Sequence, residues 1–262
     1  MNGLYLAKVL SNTQVAQGFY NLVLEDPVLA QRAEPGQFLN IRVAKSTAPL
    51  LRRPISIHWV EENRVEILFQ VVGQGTSLLA EVKQGELLDV QGPLGQGFRI
   101  EPAGRQVLLG GGMGIAPLGY LAQRLQGQKI TCLLGSRDAE SFRACGGERL
   151  RSLGLETQIS TDDGSLGHKG LVTELLKAAL AEAQAEKIMI YACGPKPMLS
   201  AVAGFALDKG IPCQVSLEEH MACGVGACLG CVCQGVSADG QESRKRVCAD
   251  GPVFDVREVG WR

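Results

Sequence analysis

Four cysteines near the C-terminal end constrain this chain more than any other feature. Cys223, Cys228 and Cys231 are spaced C-x4-C-x2-C, and Cys248 follows seventeen positions after Cys231. This is the ligand spacing of a plant-type [2Fe–2S] cluster, in which a compact loop folds round two irons and presents thiolate sulfurs inward. The intervening Gly224, Gly226 and Gly230 suit such a loop, because glycine permits positive φ and close backbone approach. Their N–H groups can also point at the sulfurs and tune the potential. The alternative for four thiolates is a structural zinc site. Zinc more often takes two C-x2-C knuckles, and the ligands here contain one. His220 lies nearby, but a lone histidine is more often a surface or packing residue. Cys233 forms a Cys-x-Cys pair with Cys231. The spacing already assigns Cys231, so Cys233 is read as a non-ligand, although on an extended strand the two would face the same side.

The chain has nine cysteines, six of them after residue 212, and it opens Met1-Asn2-Gly3-Leu4-Tyr5 with no basic region leading into an apolar one. The odd total and the missing signal argue against a secreted disulfide framework. They favour metal binding in a reducing compartment, the cytoplasm. With 26 basic against 27 acidic side chains, nothing favours nucleic acid or an anionic membrane as a partner. The longest uncharged run, 107–123, contains five glycines and Pro117. A strand, a glycine loop and a helix account for it better than a spanning helix does.

Three segments follow in order. Residues 1–101 read as short strands separated by turn residues. The stretch 20–24 alternates partially, while Gln37 to Val43 and Arg64 to Phe69 alternate more cleanly. With Pro-Gly at 35–36 and Gly-Pro at 92–93, this predicts a small antiparallel β-barrel. Residues 102–211 alternate strands (107–109, 130–134, 188–191) with helix-compatible stretches (117 onward, 174–185), which predicts a doubly wound parallel sheet. Residues 212–262 are dominated by the cysteines and form a small third segment. The fold class is therefore multi-domain, β plus α/β.

The second segment carries the nucleotide signals. Gly110-Gly111-Gly112-Met113-Gly114-Ile115-Ala116-Pro117 lies between a predicted strand and a predicted helix, where a dinucleotide phosphate meets backbone N–H groups. A tight structural turn would use the same glycines. However, a second strand ends in Gly135-Ser136-Arg137 and a third in Cys193-Gly194-Pro195, and ligands bind at carboxyl ends of strands in open α/β sheets. Upstream, Arg52-Arg53-Pro54-Ile55-Ser56 offers a guanidinium for a pyrophosphate or, equally, a solvated strand end. Gly73-Gln74-Gly75-Thr76-Ser77 is a second glycine–hydroxyl loop.

Taken together, Arg53-Pro54-Ile55-Ser56, Gly75-Thr76, Gly92-Pro93-Leu94-Gly95, the Gly110–Pro117 loop and Cys193-Gly194-Pro195 resemble the ferredoxin–NADP reductase superfamily. With Ser216-Leu217-Glu218-Glu219-His220-Met221-Ala222-Cys223-Gly224 and Arg246-Val247-Cys248-Ala249-Asp250-Gly251-Pro252-Val253-Phe254, nearly the whole chain is similar to the electron transfer subunits of NAD-dependent dihydroorotate dehydrogenases. The resemblance implies FAD on the barrel, held by Arg53, Pro54, Ile55, Ser56, by the strand Leu68-Phe69-Gln70, and by Gly75 and Thr76. It implies NAD on the second segment, at Gly111, Gly112, Gly114, Arg137, Gly194 and Pro195, and a [2Fe–2S] cluster on Cys223, Cys228, Cys231 and Cys248. It also implies a separate FMN-containing catalytic subunit that oxidises dihydroorotate, in a heterotetramer of two plus two chains. The chain departs from the family at two positions, where arginine is commoner than Gln70 and commoner than His220.

On this reading electrons pass singly from the partner's flavin through the cluster, collect on FAD and leave as hydride to NAD. Cys193 is expected near the nicotinamide–flavin contact, with a small buried residue at a strand end as the alternative. Glu218 and Glu219 either face the flavin side of the cluster loop or are solvated charges. Arg137 suits a pyrophosphate or a 2′-phosphate, and Asp162-Asp163 disfavours the latter by charge. Two other functions remain open. One is the small subunit of an NADH-dependent ferredoxin:NADP oxidoreductase or of a sulfite reductase. The other is a non-enzymatic iron–sulfur sensor or adaptor, which would need no nicotinamide site.

Overall fold

The computed structural model describes residues 3–44, 48–182, 186–237 and 239–261. Its first unit comprises β1 (Gly3–Ala16), β2 (Phe19–Glu25), α1 (Pro27–Arg32), β3 (Phe38–Ile41), β4 (Arg53–Glu61), β5 (Arg64–Gln70), α2 (Gln74–Ala80) and β6 (Leu87–Leu94). The six strands close into an antiparallel barrel in the order β1-β2-β5-β4-β3-β6. Closure hides the strand edges and lets alternate side chains fill the interior. Leu22 and Leu24, Leu39 and Ile41, and Val65, Ile67 and Phe69 do so. The strand predicted over 37–43 is shorter, ending at Ile41.

The α/β unit comprises β7 (Arg105–Gly111), α3 (Ile115–Arg124), β8 (Ile130–Ser136), α4 (Ala139–Ala144), α5 (Gly147–Arg151), β9 (Glu156–Thr161), β10 (His168–Lys169), α6 (Val172–Glu182), β11 (Ile188–Cys193), α7 (Lys196–Lys209) and β12 (Cys213–Ser216). The last part of the predicted helix, 183–185, lies outside the described residues. Both faces of this sheet are apolar, as a parallel sheet requires. Val107, Leu109, Leu133, Ile190 and Ala192 pack on one side with Leu176 of α6 and Val202 of α7. Their neighbours Leu108, Cys132, Leu134, Met189 and Tyr191 pack on the other with Leu118 and Leu121 of α3. The predicted doubly wound arrangement is thus present.

The tail adds the hairpin β13 (Val232–Val236) and β14 (Glu242–Arg246) and the short strand β15 (Val253–Asp255). The large sheet runs β10-β9-β8-β7-β11-β12-β15, with β15 antiparallel to β12. Cys231, Val247 and Cys248 share one core with the α6–α7 face of the sheet. A segment of this length buries too little surface alone, and the sheet supplies the rest. Among the described residues no helix is long and apolar enough to cross a membrane.

Helix α3 is wedged between the two larger units. Tyr120 donates its hydroxyl proton to the Ala33 carbonyl at 2.9 Å, and His58 Nδ1 donates to the Ala116 carbonyl at 2.6 Å. A Cβ at Gly119 would stand 2.9 Å from the His58 carbonyl, so glycine permits this contact. Beside it, Arg149 of α5 grips Glu66 of β5 with two bonds of 2.6 and 3.0 Å, and its guanidinium lies 4.1 Å over the Trp59 ring. Arg149→Ala is expected to cost about 2 kcal/mol in urea unfolding, because it leaves Glu66 enclosed and unpaired at a partly wet junction.

Burial holds the His58 pKa below its ordinary value, with the Ala116 hydrogen bond opposing and Arg149 reinforcing the shift. A histidine that protonates less readily folded than unfolded withdraws stability as pH falls through its unfolded value near 6.5. The urea midpoint should therefore decline from pH 7.5 to 5.5 by this contribution, and His58→Gln should flatten that part of the profile. Glu66 acts in a separate, lower window. Burial opposes its ionisation but Arg149 and Asn21 outweigh it, so its contribution is lost only as pH drops below the carboxylate range.

Candidate functional site: two clefts and a thiol set

A cleft of about 440 Å³ opens where all three segments meet. The barrel contributes Arg53, Pro54, Ile55, Ser56, Leu68, Phe69, Gln70 and Thr76; α3 and the turn before it contribute Met113, Ala116 and Pro117. The tail contributes Glu218, Met221 and Pro252. Antiparallel pairing explains the barrel set, since β4 and β5 are neighbours and both open their ends onto the cleft. The adjacent arginines separate. Arg52 is tied to Asp89 at 2.9 Å, whereas Arg53 lies on the cleft and donates to the Leu51 carbonyl at 2.5 Å. Gly75 is needed because a Cβ there would overlap the Arg53 guanidinium. Thr76 Oγ1 accepts from the N–H groups of Val72 and Gly73 at 2.9 and 3.2 Å, which shapes the start of α2. An apolar-walled cleft with a guanidinium at one end suits a flavin dinucleotide, whose ring is flat and whose diphosphate is anionic.

A second cleft, about 450 Å³, sits at the carboxyl ends of β7, β8, β9 and β11, where the chain order reverses. Gly111, Gly112, Arg137 and Pro195 line it with Ser160, Asp162 and Met198. Gly114 and Gly194 do not line it. They let the loops after β7 and β11 touch, and a Cβ on Gly114 would stand 2.5 Å from Gly194 N and closer still to the Cys193 carbonyl. Arg137 Nε pairs with Asp138 at 3.0 Å. The Ser141 N–H, which Asp138 caps, and the Arg137 guanidinium bring that carboxyl down to about 2. Ser160 Oγ is buried and has no hydrogen-bond partner among the described residues, as expected of a hydroxyl meant for a ligand.

Cys193 lines neither of these two clefts. It ends β11, is 2% exposed, and pairs with Ser216 of β12. Burial, and secondarily Glu218, push its thiol far up, so it stays neutral. Glu218 is exposed on the flavin-type cleft, where partial loss of solvent raises its carboxyl pKa.

Cys223 is half-buried and Cys228 exposed, while Cys231 and Cys248 are buried. Four thiols with the C-x4-C-x2-C spacing and a distant fourth member suit a cluster of two irons. Backbone N–H groups already point at the sulfurs. Gly226 N reaches Cys248 Sγ at 3.1 Å, Cys248 N reaches Cys231 Sγ at 3.3 Å, and Cys228 N and Gly230 N reach Cys223 and Cys228 Sγ at 3.4 Å. Burial works against ionising Cys223, but the N–H groups of Val225 and Cys228 bring it down to about 6. Gly224 and Gly226 take φ of 69° and 81°, as predicted for a loop folded this tightly. Cys231 precedes β13 rather than lying on it. Cys233, on the strand, instead lines a pocket with Lys196, Glu219 and Trp261.

Of the two readings open for Glu218 and Glu219, the structure puts both residues on the flavin-type cleft. Met221 and Pro252 have no role in the sequence reading, although they flank the cysteine motif. Met198 and Ala201 have none either, because Pro195 and Pro197 hid the start of α7.

The family model for the iron–sulfur cluster binding domain of dihydroorotate dehydrogenase B matches residues 218–260, and that for the oxidoreductase NAD-binding domain matches 108–204. The chain is 44% identical over 253 residues to the dihydroorotate dehydrogenase B (NAD(+)) electron transfer subunit of Caldanaerobacter subterraneus subsp. tengcongensis, covering 97% of each. It is 42% identical over 266 residues to the protein of the same name from Desulforamulus reducens, covering 100% of each. Among solved structures, an NADH-dependent reduced ferredoxin-NADP oxidoreductase studied for flavin-based electron bifurcation superposes with a TM-score of 0.84 at 31% identity, over 100% of this chain and 92% of that one. A ferredoxin NADP+ reductase from Neisseria gonorrhoeae superposes at 0.64 with 19% identity over 79% of this chain and 92% of that one, which is a likeness of fold.

Proposed function

Because this chain belongs to the family of dihydroorotate dehydrogenase B (NAD(+)) electron transfer subunits, we propose that its cleft at the three-segment junction is the meeting point of a flavin, a nicotinamide and an iron–sulfur cluster. The chain is an oxidoreductase subunit of pyrimidine biosynthesis with FAD and [2Fe–2S] as cofactors and NAD as substrate, and it works with a catalytic partner subunit. The relatives at 42–44% identity carry this function, against 31% for the ferredoxin-NADP oxidoreductase, so the alternatives are not favoured.

The assignment of residues is ours. Arg53 neutralises the FAD diphosphate, with Pro54, Ile55, Ser56, Leu68, Phe69, Gln70, Gly75 and Thr76 framing the rest. Gly111, Gly112, Arg137 and Pro195 receive NAD, while Gly114 and Gly194 hold the two loops together. Cys223, Cys228, Cys231 and Cys248 hold the cluster. Cys193 supports Ser216 beside the flavin as a neutral thiol. By cofactor, residues 1–101 serve FAD, 102–211 NAD and 212–262 the cluster. The cofactors supply the conversion between single electrons and hydride, while the residues position them and exclude water. One observation carries the reading: barrel, α3 and cluster segment wall the same cleft, so cofactors held on each stand close together. We further propose a cytoplasmic heterotetramer of two such chains with two FMN-containing catalytic chains. Closely spaced free thiols persist in a reducing compartment, and no residue set among the described residues resembles an orotate pocket with its own base.

Anaerobic addition of NADH to the FAD-loaded protein should bleach the flavin absorption; a flavin that stays oxidised would remove the nicotinamide assignment. Asp162, beside Arg137 on the NAD cleft, should repel a 2′-phosphate. NADH should reduce the flavin faster than NADPH, and Asp162→Asn should narrow that ratio about tenfold, the effect of one like charge at close range.

A further inference from the structure

We propose that Arg246 and Asp250 form a charge pair that positions the cluster loop and sets the reduction potential of the cluster. The inference rests on the cysteine assignment above. Neither residue is a ligand, and neither lines the flavin or NAD cleft. Arg246 ends β14 opposite Val232, the residue after Cys231. Its backbone N–H and Nε both donate to Asp250 Oδ2, at 2.7 and 3.0 Å, and Nη2 donates to Oδ1 at 2.7 Å. Its remaining arm, Nη1, donates to the Gly226 carbonyl at 3.3 Å. Gly226 in turn directs its N–H at Cys248 Sγ at 3.1 Å. One guanidinium thus joins the two distant stretches that carry the thiols. A Cβ on Gly226 would stand 3.0 Å from Nη1 and 2.8 Å from the Ala249 Cβ, so the loop is folded directly onto the clamp.

The pair also carries charge into the neighbourhood of the sulfurs. Through Gly226, whose carbonyl takes Nη1 and whose N–H meets Cys248 Sγ, the guanidinium stands one residue from a ligand sulfur, and β14 sets it opposite the residue that follows Cys231. Reduction adds one negative charge to a cluster bound there. A nearby cation favours the reduced form and a nearby carboxylate disfavours it, and groups around the ligands tune such sites in this way. In the intact pair the two effects offset each other. Removing either partner leaves the other uncompensated, so the two removals act with opposite sign.

That opposition separates charge tuning from a structural role, because both removals break the same clamp. The test is a redox titration of the holoprotein, followed by absorbance and by the paramagnetic resonance of the reduced cluster. Arg246→Gln should lower the cluster potential and Asp250→Asn should raise it. Each shift should be about tenfold in the reduction equilibrium, or about 59 mV for one electron. Arg246→Lys keeps the charge without the fork. It should stay within about twofold of the wild-type equilibrium while losing iron faster to a chelator. Shifts of the same sign in the Gln and Asn variants, or none in either, would overturn the inference. If Arg246→Gln holds no cluster, Asp250→Asn and Arg246→Lys decide. A raised potential in the first with a near-normal one in the second supports the pair, and any other combination overturns it. Wild-type protein lacking iron and acid-labile sulfide would instead sink the cluster assignment itself.

Discussion

Cys248→Ser should yield a protein that still binds FAD and still oxidises NADH with a soluble dye, yet no longer couples dihydroorotate to NAD. Cys248 is 2% exposed and burial pushes its thiol up to about 12, so only a metal makes the thiolate favourable there. A serine hydroxyl is a much poorer ligand for iron, and the Gly226 N–H now aimed at sulfur loses its acceptor. Iron and sulfide content should fall close to zero. Activity of the complex with dihydroorotate and NAD should fall at least about 100-fold, beyond the range typical of lost outer-shell partners. The dye reaction needs only flavin and nicotinamide and should change less than about twofold. Cys233→Ser is the control, since Cys233 lines the pocket with Lys196 and Trp261. If it lost the cluster while Cys231→Ser kept it, the two cysteines would have been assigned the wrong way round.

Gly114→Ala should be severely damaging to the α/β unit. Its Cβ would press on backbone, Gly194 N at 2.5 Å and the Cys193 carbonyl nearer still, and neither can rotate away as a side-chain tip would. We expect a loss of about 3 kcal/mol or more in stability and failure of NADH to bleach the flavin, with FAD retained on the barrel. Gly112→Ala provides the contrast. Gly112 has a φ of 53° but nothing within 4 Å of an added Cβ, so only backbone strain of about 1 kcal/mol is expected. Equal effects from both substitutions would show that loop contact is not what Gly114 supplies.

The legible parts of this protein are those whose partners are close in sequence. Three of the four cysteines lie within nine residues, and each strand-end glycine motif directly follows its strand. The missed parts depend on distant partners. Strand β1 shifts register between Val9 and Ser11 and again between Gln14 and Ala16, which breaks the alternation a reader looks for. The long helix α7 was hidden by prolines, although Leu199, Val202, Ala203 and Ala206 recur at helical spacing on its buried face. Strand β15 has no sequence signal of its own and exists because it pairs with β12 across the cluster loop.

The order of residues alone carries the spacing of the four proposed sulfur ligands, the barrel followed by a parallel sheet, and the glycine loops at the ends of its strands. Periodicity and ligand spacing are local properties that survive in one dimension. Folding alone decided which of two adjacent arginines meets the cleft at the junction, that Cys233 lines a pocket with Lys196 and Trp261, that Gly114 lets two loops touch, and that Arg246 bridges Gly226 and Asp250. Each of these depends on which surface a side chain meets after segments far apart in the chain have packed together.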